Sequence, residues 1–345
     1  MTTERARAAA PMGAWATMAD VAAVAGVSTM TVSRVLRSPA KVAAATRARV
    51  QAAILALGYV PDGIAGSLAS GESRLVAALV STVAGSIFVS TIDGLGAALA
   101  EAGHQLLVGS TDYSPASEEA LLTALLRRRP DGLVLTSAEH TPATTRMLRA
   151  ARLPVVEVWD LPERPLDLAV GFSNRAAGAA LTGLLVELGY RRIGFVGGFF
   201  AGDRRGRRRF DGYAEVLAAK GLGPPRHLPV PGGTNLVEAG AAAFSRFLER
   251  WPDTDAVFCA SDALALGALC EARRRGLAVP GRVAIAGFGD FEFAGEGGLG
   301  LTTVRVPGRR IGLEAARLLL ARKAGTPDLP RRLDLGFELV RRSSA

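Results

Sequence analysis

Residues 17–36, TMADVAAVAGVSTMTVSRVL, hold two short helical patterns joined by a glycine-centred turn. Thr17 precedes the first pattern, where its hydroxyl can accept from the free amides of the opening turn, and Asp20 completes an imperfect capping box. Met18, Val21, Ala22 and Ala25 recur at helical spacing. Gly26 then breaks the helix, and Ser28 is a good cap for a second one. On a wheel of about 100° per residue, Val32, Val35 and Leu36 fall in one sector. Thr29, Met30, Ser33, Arg34 and Arg37 fall in the opposite one. A helix this short is unstable alone, so its apolar sector must dock on the first helix. What faces outward is then short hydroxyls, one thioether and two guanidiniums. Arginine can bond guanine at two atoms, hydroxyls suit either strand, and methionine can meet a thymine methyl. On spacing alone, the alternative is an ordinary helical hairpin with a solvated basic face.

The following residues extend the pattern. Residues 45–59, ATRARVQAAILALGY, predict a third helix with Val50, Ile54 and Leu57 inward. Residues 61–71, PDGIAGSLASG, read as a linker in free solution, because Gly63 and Gly66 each cost about 1 kcal/mol in a helix relative to alanine. Ile64 and Leu68 nevertheless stand four residues apart, leaving one helical face for a partner to stabilise. The whole string, D-V-A-x-x-A-G-V-S-x-x-T-V-S-R-V-L, then G-Y-x-P, then a short Leu-Ala segment, resembles the lac-repressor family of bacterial transcription regulators. The likeness runs from about residue 17 to about 340. It implies a hinge helix over 61–71 that forms on DNA, with Leu68 wedged in the minor groove and Ala69 the small residue after it. The DNA-contacting set expected on this basis is Met18, Ser28, Thr29, Met30, Thr31, Ser33, Arg34, Arg37, Thr46 and Tyr59, with Leu68 and Ala69 in the hinge. One such helix buries little surface, so a homodimer on a pseudo-palindromic operator is expected.

Length and composition agree with a multidomain chain. The 345 residues predict two domains or more, and 49% hydrophobic with 21% charged residues describes a globular protein with ample core. A net charge of +9 suits a polyanionic partner. The two cysteines, Cys259 and Cys270, lie in apolar or helical patterns and read as buried thiols of a reducing cytosol. Residues 1–16 carry Arg5 and Arg7 but no continuous apolar run, so they read as a disordered tail and not a signal peptide. No stretch of about 20 apolar residues follows. A cytoplasmic protein with no membrane partner is therefore expected.

From Leu75 the texture changes to strand-then-helix units. Apolar runs at 75–82, 105–111, 131–137 and 154–158 alternate with helical patterns near 87–102, 116–128 and 142–151. A second series has runs at 191–198, 254–261 and 282–289, with helices near 174–188, 207–220, 236–250 and 262–275. Such alternation predicts parallel sheets covered on both faces. The fold class is thus an all-α helix-turn-helix domain followed by two doubly wound α/β subdomains. A cleft is expected at the carboxyl ends of their strands. This core resembles the periplasmic sugar-binding proteins. By that resemblance helix 307–322 returns to the first half and the strand RRLDLGFEL (331–339) to the second. The expected organisation is a tail (1–16), a DNA-binding domain (17–60), a hinge (61–71) and an effector-binding, dimerising domain (72–345). Its halves are about 72–172 with 303–330, and 173–302 with 331–345.

No catalytic constellation is present in the sequence. The three histidines, His104, His140 and His227, have no ligand or triad spacing, and there is no G-x-S-x-G, P-loop or dinucleotide fingerprint. The expectation is a non-enzyme with no cofactor and no metal. The densest charge feature is 203–209, DRRGRRR, which reads mostly as a solvated basic loop and first helical turn. Arg209 stands apart, because R-F-D-G-Y places it three residues before Gly212. In the resembled family the basic residue at that spot reaches into the cleft and clamps the effector, and a guanidinium suits a carboxylate or several hydroxyls. Further strand-end candidates are Ser81, Phe88, Glu157, Asp160, Ser261, Asp262 and Asp290. Family members that bind sugars or purines usually show Asn-Asp where this chain has Ser261-Asp262, and Asp where it has Gly289. The stretches EHTP (139–142), PVVEVWD (154–160), LDLAVGFSN (166–174), VFCASDALALGA (257–268) and RLDLGFEL (332–339) are instead similar to the gluconate-responsive repressors of the family. The expectation is a repressor controlled by a sugar acid such as gluconate or 6-phosphogluconate. A solute-binding protein for transport shares the core fold, but it would need a signal peptide and no helix-turn-helix.

Overall fold

The computed structural model describes residues 15–60, 72–83, 87–137, 139–198, 203–230, 235–295 and 297–345. The chain divides into two compact units, 1–73 and 74–345. The hinge expected over 61–71, with Leu68 and Ala69, lies outside the described residues, as does most of the tail.

In the first unit, α1 (Met18–Ala25) opens on Thr17, whose hydroxyl accepts from the Asp20 amide while the Asp20 carboxylate accepts from the Thr17 amide, a full capping box. Gly26 ends the helix at φ 63°, a left-handed conformation that glycine adopts without a Cβ penalty. Ser28 caps α2 (Thr29–Arg37) by accepting from the Thr31 amide. After a 3₁₀ turn (Pro39–Lys41) comes α3 (Ala44–Leu57). Val21, Ala22, Ala25, Val32, Val35, Val50, Ala53 and Tyr59 form the small core. Ile54 and Leu57, expected inward, only flank it, and Ala53 takes the central place on α3.

The second unit begins with a six-stranded sheet in the order β11-β5-β4-β3-β1-β2. Its strands are β1 (Leu75–Val80), β2 (Gln105–Ser110), β3 (Gly132–Leu135), β4 (Val155–Val158), β5 (Leu168–Gly171) and β11 (Arg332–Asp334), paired in parallel throughout. The helices α4 (Val89–Glu101), α5 (Pro115–Leu126) and α6 (Pro142–Ala151) connect them. The second half holds β6 (Ile193–Val196), β7 (Arg226–Leu228), β8 (Ala256–Cys259) and β9 (Ala284–Ala286), ordered β7-β6-β8-β9 and again parallel. Bridges from Ala286 to Thr302 and from Gly289 to Arg305 bring β10 (Thr303–Arg305) alongside, and β12 (Glu338–Val340) pairs antiparallel with it. The helices of this half are α7 (Asn174–Glu187), α8 (Arg204–Ala219), α9 (Leu236–Arg250) and α10 (Asp262–Arg274); α11 (Gly308–Lys323) packs on α4 in the first half.

Helices α7 and α8 meet backbone to backbone. A Cβ at Gly178 would overlap the Arg209 carbonyl, and one at Gly212 would overlap the Arg175 carbonyl. This reciprocal glycine contact fixes the height of α8 against α7, and with it where the α8 arginines point.

Three expectations are corrected. The strand over 331–339 is split: Arg332–Asp334 pairs with β5 in the first half, and only Glu338–Val340 joins the second. The divide arises because Gly336, at φ 66°, turns the chain between them. Residues 303–305, expected in the first half, pair with β12 beside β9. Cys270, expected buried like Cys259, is exposed on the outer side of α10. Among the described residues no single helix is long and apolar enough to cross a membrane.

Candidate functional site

In the first unit, burial separates the residues of α2 as its periodicity predicts. Val32 and Val35 are buried, and Leu36 packs against the core. Thr29, Arg34 and Arg37 are exposed, and Met30 is 68% exposed, a large apolar side chain held out in water. Thr31 and Ser33 are half-buried. Ser28 spends its hydroxyl on the α2 cap and on Thr31 Oγ1 at 3.0 Å. Thr46 is half-buried near the start of α3, and Met18 is half-buried against the core. Tyr59 departs from its expected role: at 7% exposure it is a core residue, because the chain turns at Gly58 and the ring joins the apolar cluster of the first unit. The remaining outward groups sit on one helix with two arginines in its last turn, a surface of the size and chemistry that enters a major groove.

In the second unit, the chemistry gathers where α8 opens over the strand ends. Asp203 caps α8 by accepting from the Gly206 amide, so the helix starts at Arg204, three residues earlier than its sequence pattern predicts. That early start puts Arg205 and Arg209 one turn apart on the same face. Arg209 is buried, donates to Asn174 Oδ1 at 2.8 Å, and lies with Cζ 4.3 Å from the Phe288 ring centroid. Its Nε has no hydrogen-bond partner among the described residues. Burial pulls its pKa down, yet a guanidinium stays charged at neutral pH.

Arg205, which the sequence did not single out, does more. Its Nη2 donates to Ser81 Oγ at 2.9 Å and its Nη1 to the Thr136 carbonyl, both in the first half. Its Cζ lies 5.1 Å from the Phe88 centroid and 5.9 Å from that of Tyr113. The α8 arginines thus cap a run of rings, Phe88, Trp159, Phe172 and Phe288, in successive contact at 5.1, 5.9 and 6.1 Å. This apolar floor with two buried guanidiniums above it favours an anion, and the positive end of the α8 dipole adds to that.

Of the expected effector residues, Ser81, Phe88 and Arg209 come together here. Asp160 is near enough to bear on the charge of Arg209, while its own Oδ1 accepts from the Leu161 amide. The others are corrected. Glu157 shares a strand face with Val155, by the two-residue period of a strand, and so points to the opposite side of the sheet from the ring floor. There it accepts from the Leu166 amide at 2.7 Å. Ser261 is the cap of α10, accepting from Leu264. Asp262 is fully buried, accepting from the Phe291 amide and from Thr303 Oγ1, and burial raises its pKa to about 6. Asp290 is paired with Arg305 at 2.6 Å and Arg342 at 2.7 Å; burial opposes its charge, but the two arginines hold its pKa below the usual range. The bonds of these three residues lie within the second half and stabilise it.

A cavity of about 250 Å³ adjoins this site in the first half. Ser81 and Tyr113, both touched by Arg205, line it together with Glu118, Glu139, His140 and Arg204. His140, with its side chain 3% exposed, sits between two carboxylates: Nδ1 is 2.6 Å from Glu118 Oε1 and Nε2 is 3.5 Å from Glu157 Oε1. Burial alone would lower its pKa, but the two glutamates raise it to about 9, so the ring is an imidazolium at neutral pH. Among the described residues no group of His, Cys, Asp or Glu is arranged to hold a metal ion.

Each of the two units matches a known protein family. A family model described as bacterial regulatory proteins, lacI family, matches residues 17–62, and one described as a periplasmic binding protein-like domain matches residues 182–345. The HTH-type transcriptional regulator GntR of Escherichia coli (strain K12) is 35% identical over 320 residues, covering 93% of this chain and 96% of its own length. A crystal structure of a LacI-family transcriptional regulator from Silicibacter pomeroyi has a TM-score of 0.87 at 36% identity, covering 95% of this chain and 99% of that one. The structure of a transcriptional regulator CelR–cellobiose complex has a TM-score of 0.69 at 33% identity, covering 96% of this chain and all (100%) of that chain.

Proposed function

The chain belongs to the lacI family of bacterial regulatory proteins, non-catalytic DNA-binding regulators of carbohydrate metabolism genes, and from that premise we propose that it is a cytoplasmic repressor controlled by an anionic sugar. Two copies related by a twofold axis read a pseudo-palindromic operator, each through the outward face of α2. Residues 61–71 couple reading to sensing, with Leu68 and Ala69 at the minor groove. The edge strand β2, where Leu107 and Val108 stay 39% and 36% exposed, supports pairing of the first halves.

The observation that carries the effector reading is the pair Arg205 and Arg209, two buried guanidiniums over an aromatic floor in one cleft. A neutral sugar offers these guanidiniums only hydroxyl oxygens and leaves their charge uncompensated. A sugar acid such as gluconate, or its phosphate ester, meets it with a carboxylate. Ligand moves operator affinity only by its differential affinity for two arrangements of the halves. Arg205 gives such a difference a physical form, since it bonds one half from the other.

Calorimetry tests this reading. Gluconate should bind, neutral glucose should bind at least tenfold more weakly, and Arg205→Ala or Arg209→Ala should abolish the preference. Equal affinity for glucose and gluconate would discard the anionic effector and leave the DNA-binding assignment standing.

A further inference from the structure

We infer that the cavity beside Arg205 receives the hydroxylated tail of the effector and rejects a terminal phosphate, so that the protein senses a free sugar acid and not its phosphate ester. This rests on the sugar-acid reading above and adds a polarity to it. The Arg205 guanidinium meets the cavity wall through Ser81 and stands over Tyr113. The wall also includes Glu118, Glu139, His140 and Arg204.

This part of the wall contains two cations, but both are already matched. His140 faces Glu118 from α5 and Glu157 from β4, and Arg204 is paired with Glu139. Glu119, next to Glu118, is engaged by the Thr141 hydroxyl. A phosphate dianion arriving here would have to displace a carboxylate from its cation and then sit against it, and like charges at close range strongly disfavour that. Hydroxyls behave oppositely. Each can donate to a free lone pair of Glu118 or Glu139, since an ionised carboxylate has about four acceptor positions. The buried His140 ring reinforces the point: Nδ1 faces Glu118 at 2.6 Å and Nε2 faces Glu157 at 3.5 Å, so the ring brings no unmatched positive charge to the cavity. At about 250 Å³ the cavity also falls below the ~300–1,000 Å³ of drug-sized pockets, a space for one short polyol chain.

The test is calorimetry of the full-length protein with gluconate and 6-phosphogluconate. The expected result is that gluconate binds and 6-phosphogluconate binds roughly thirtyfold more weakly or worse. Glu139→Gln, at a side chain 41% exposed that the fold tolerates losing, frees Arg204 for a phosphate and should narrow the gap several-fold. Glu118→Gln should narrow it likewise by freeing His140. If gluconate binds but 6-phosphogluconate comes within threefold of it, the inference is overturned, as it is if neither variant changes the ratio. If neither compound binds the wild type, the sugar-acid reading falls and this inference with it.

Discussion

The outward face of α2 and the opening of α8 each present a pair of arginines, and the two pairs are held in opposite ways. Arg34 and Arg37 are exposed, and among the described residues no hydrogen bond or ion pair engages their guanidinium groups. Arg205 and Arg209 are buried, and each is already bonded and stacked on a ring. The exposed pair can act on a partner without cost to its own fold. The buried pair must exchange internal partners for external ones, which makes its occupancy a lever on the arrangement of the halves. Reading of DNA therefore belongs to free side chains, and sensing belongs to committed ones.

The largest effect expected in the reading unit comes from a residue that is not on the reading face. Tyr59 is core, so Tyr59→Ala should destabilise the first unit by about 3–5 kcal/mol, as large-to-small core changes do. Thermal melting followed by circular dichroism checks this. A variant that melts normally but loses operator affinity would return Tyr59 to the contact surface.

In the sensing unit the sharpest handle is pH. Folding favours the protonated form of His140, whose pKa rises from 6.5 to about 9 between Glu118 on α5 and Glu157 on β4. Its contribution is full below about pH 6.5 and is lost as the pH climbs through about 9, a difference on the order of 3 kcal/mol. Urea denaturation at pH 6.5 and pH 9.5 should show that loss in the wild type, and a smaller one in His140→Gln. An identical loss in both would mean that another group titrates.

A smaller effect should separate affinity from stability. Arg34→Ala should weaken specific operator binding by about 1–3 kcal/mol if it meets a base, with an unchanged melting temperature. Loss of stability instead would mean that Arg34 is committed within its own fold, and the contrast with Arg205 would collapse.

The same contrast explains what could be read from the sequence. The α2 face was legible because helical periodicity alone sorts Val32 and Val35 from Arg34 and Arg37. Arg209 was legible from its spacing to Gly212, but Arg205 was not: five arginines in a row of seven residues look alike until the Asp203 cap sets where the helix starts. Glu157, expected at the cleft as a strand-end residue, faces the other side of its sheet, and its alternation with Val156 and Val158 carries that signal. Asp262 and Asp290 could not be placed, because their partners Thr303, Arg305 and Arg342 lie far along the chain. Likewise the three residues of β11 are too few to show a face pattern, and only the pairing to β5 decides their half.

Fluorescence anisotropy of a labelled operator fragment, titrated with protein in the presence and absence of saturating gluconate, reads the coupling between the two arginine pairs. Gluconate should weaken operator binding by about 1–3 kcal/mol, roughly five- to 150-fold, while equal glucose leaves it unchanged. Operator affinity unmoved by gluconate that calorimetry shows to be bound would contradict that coupling.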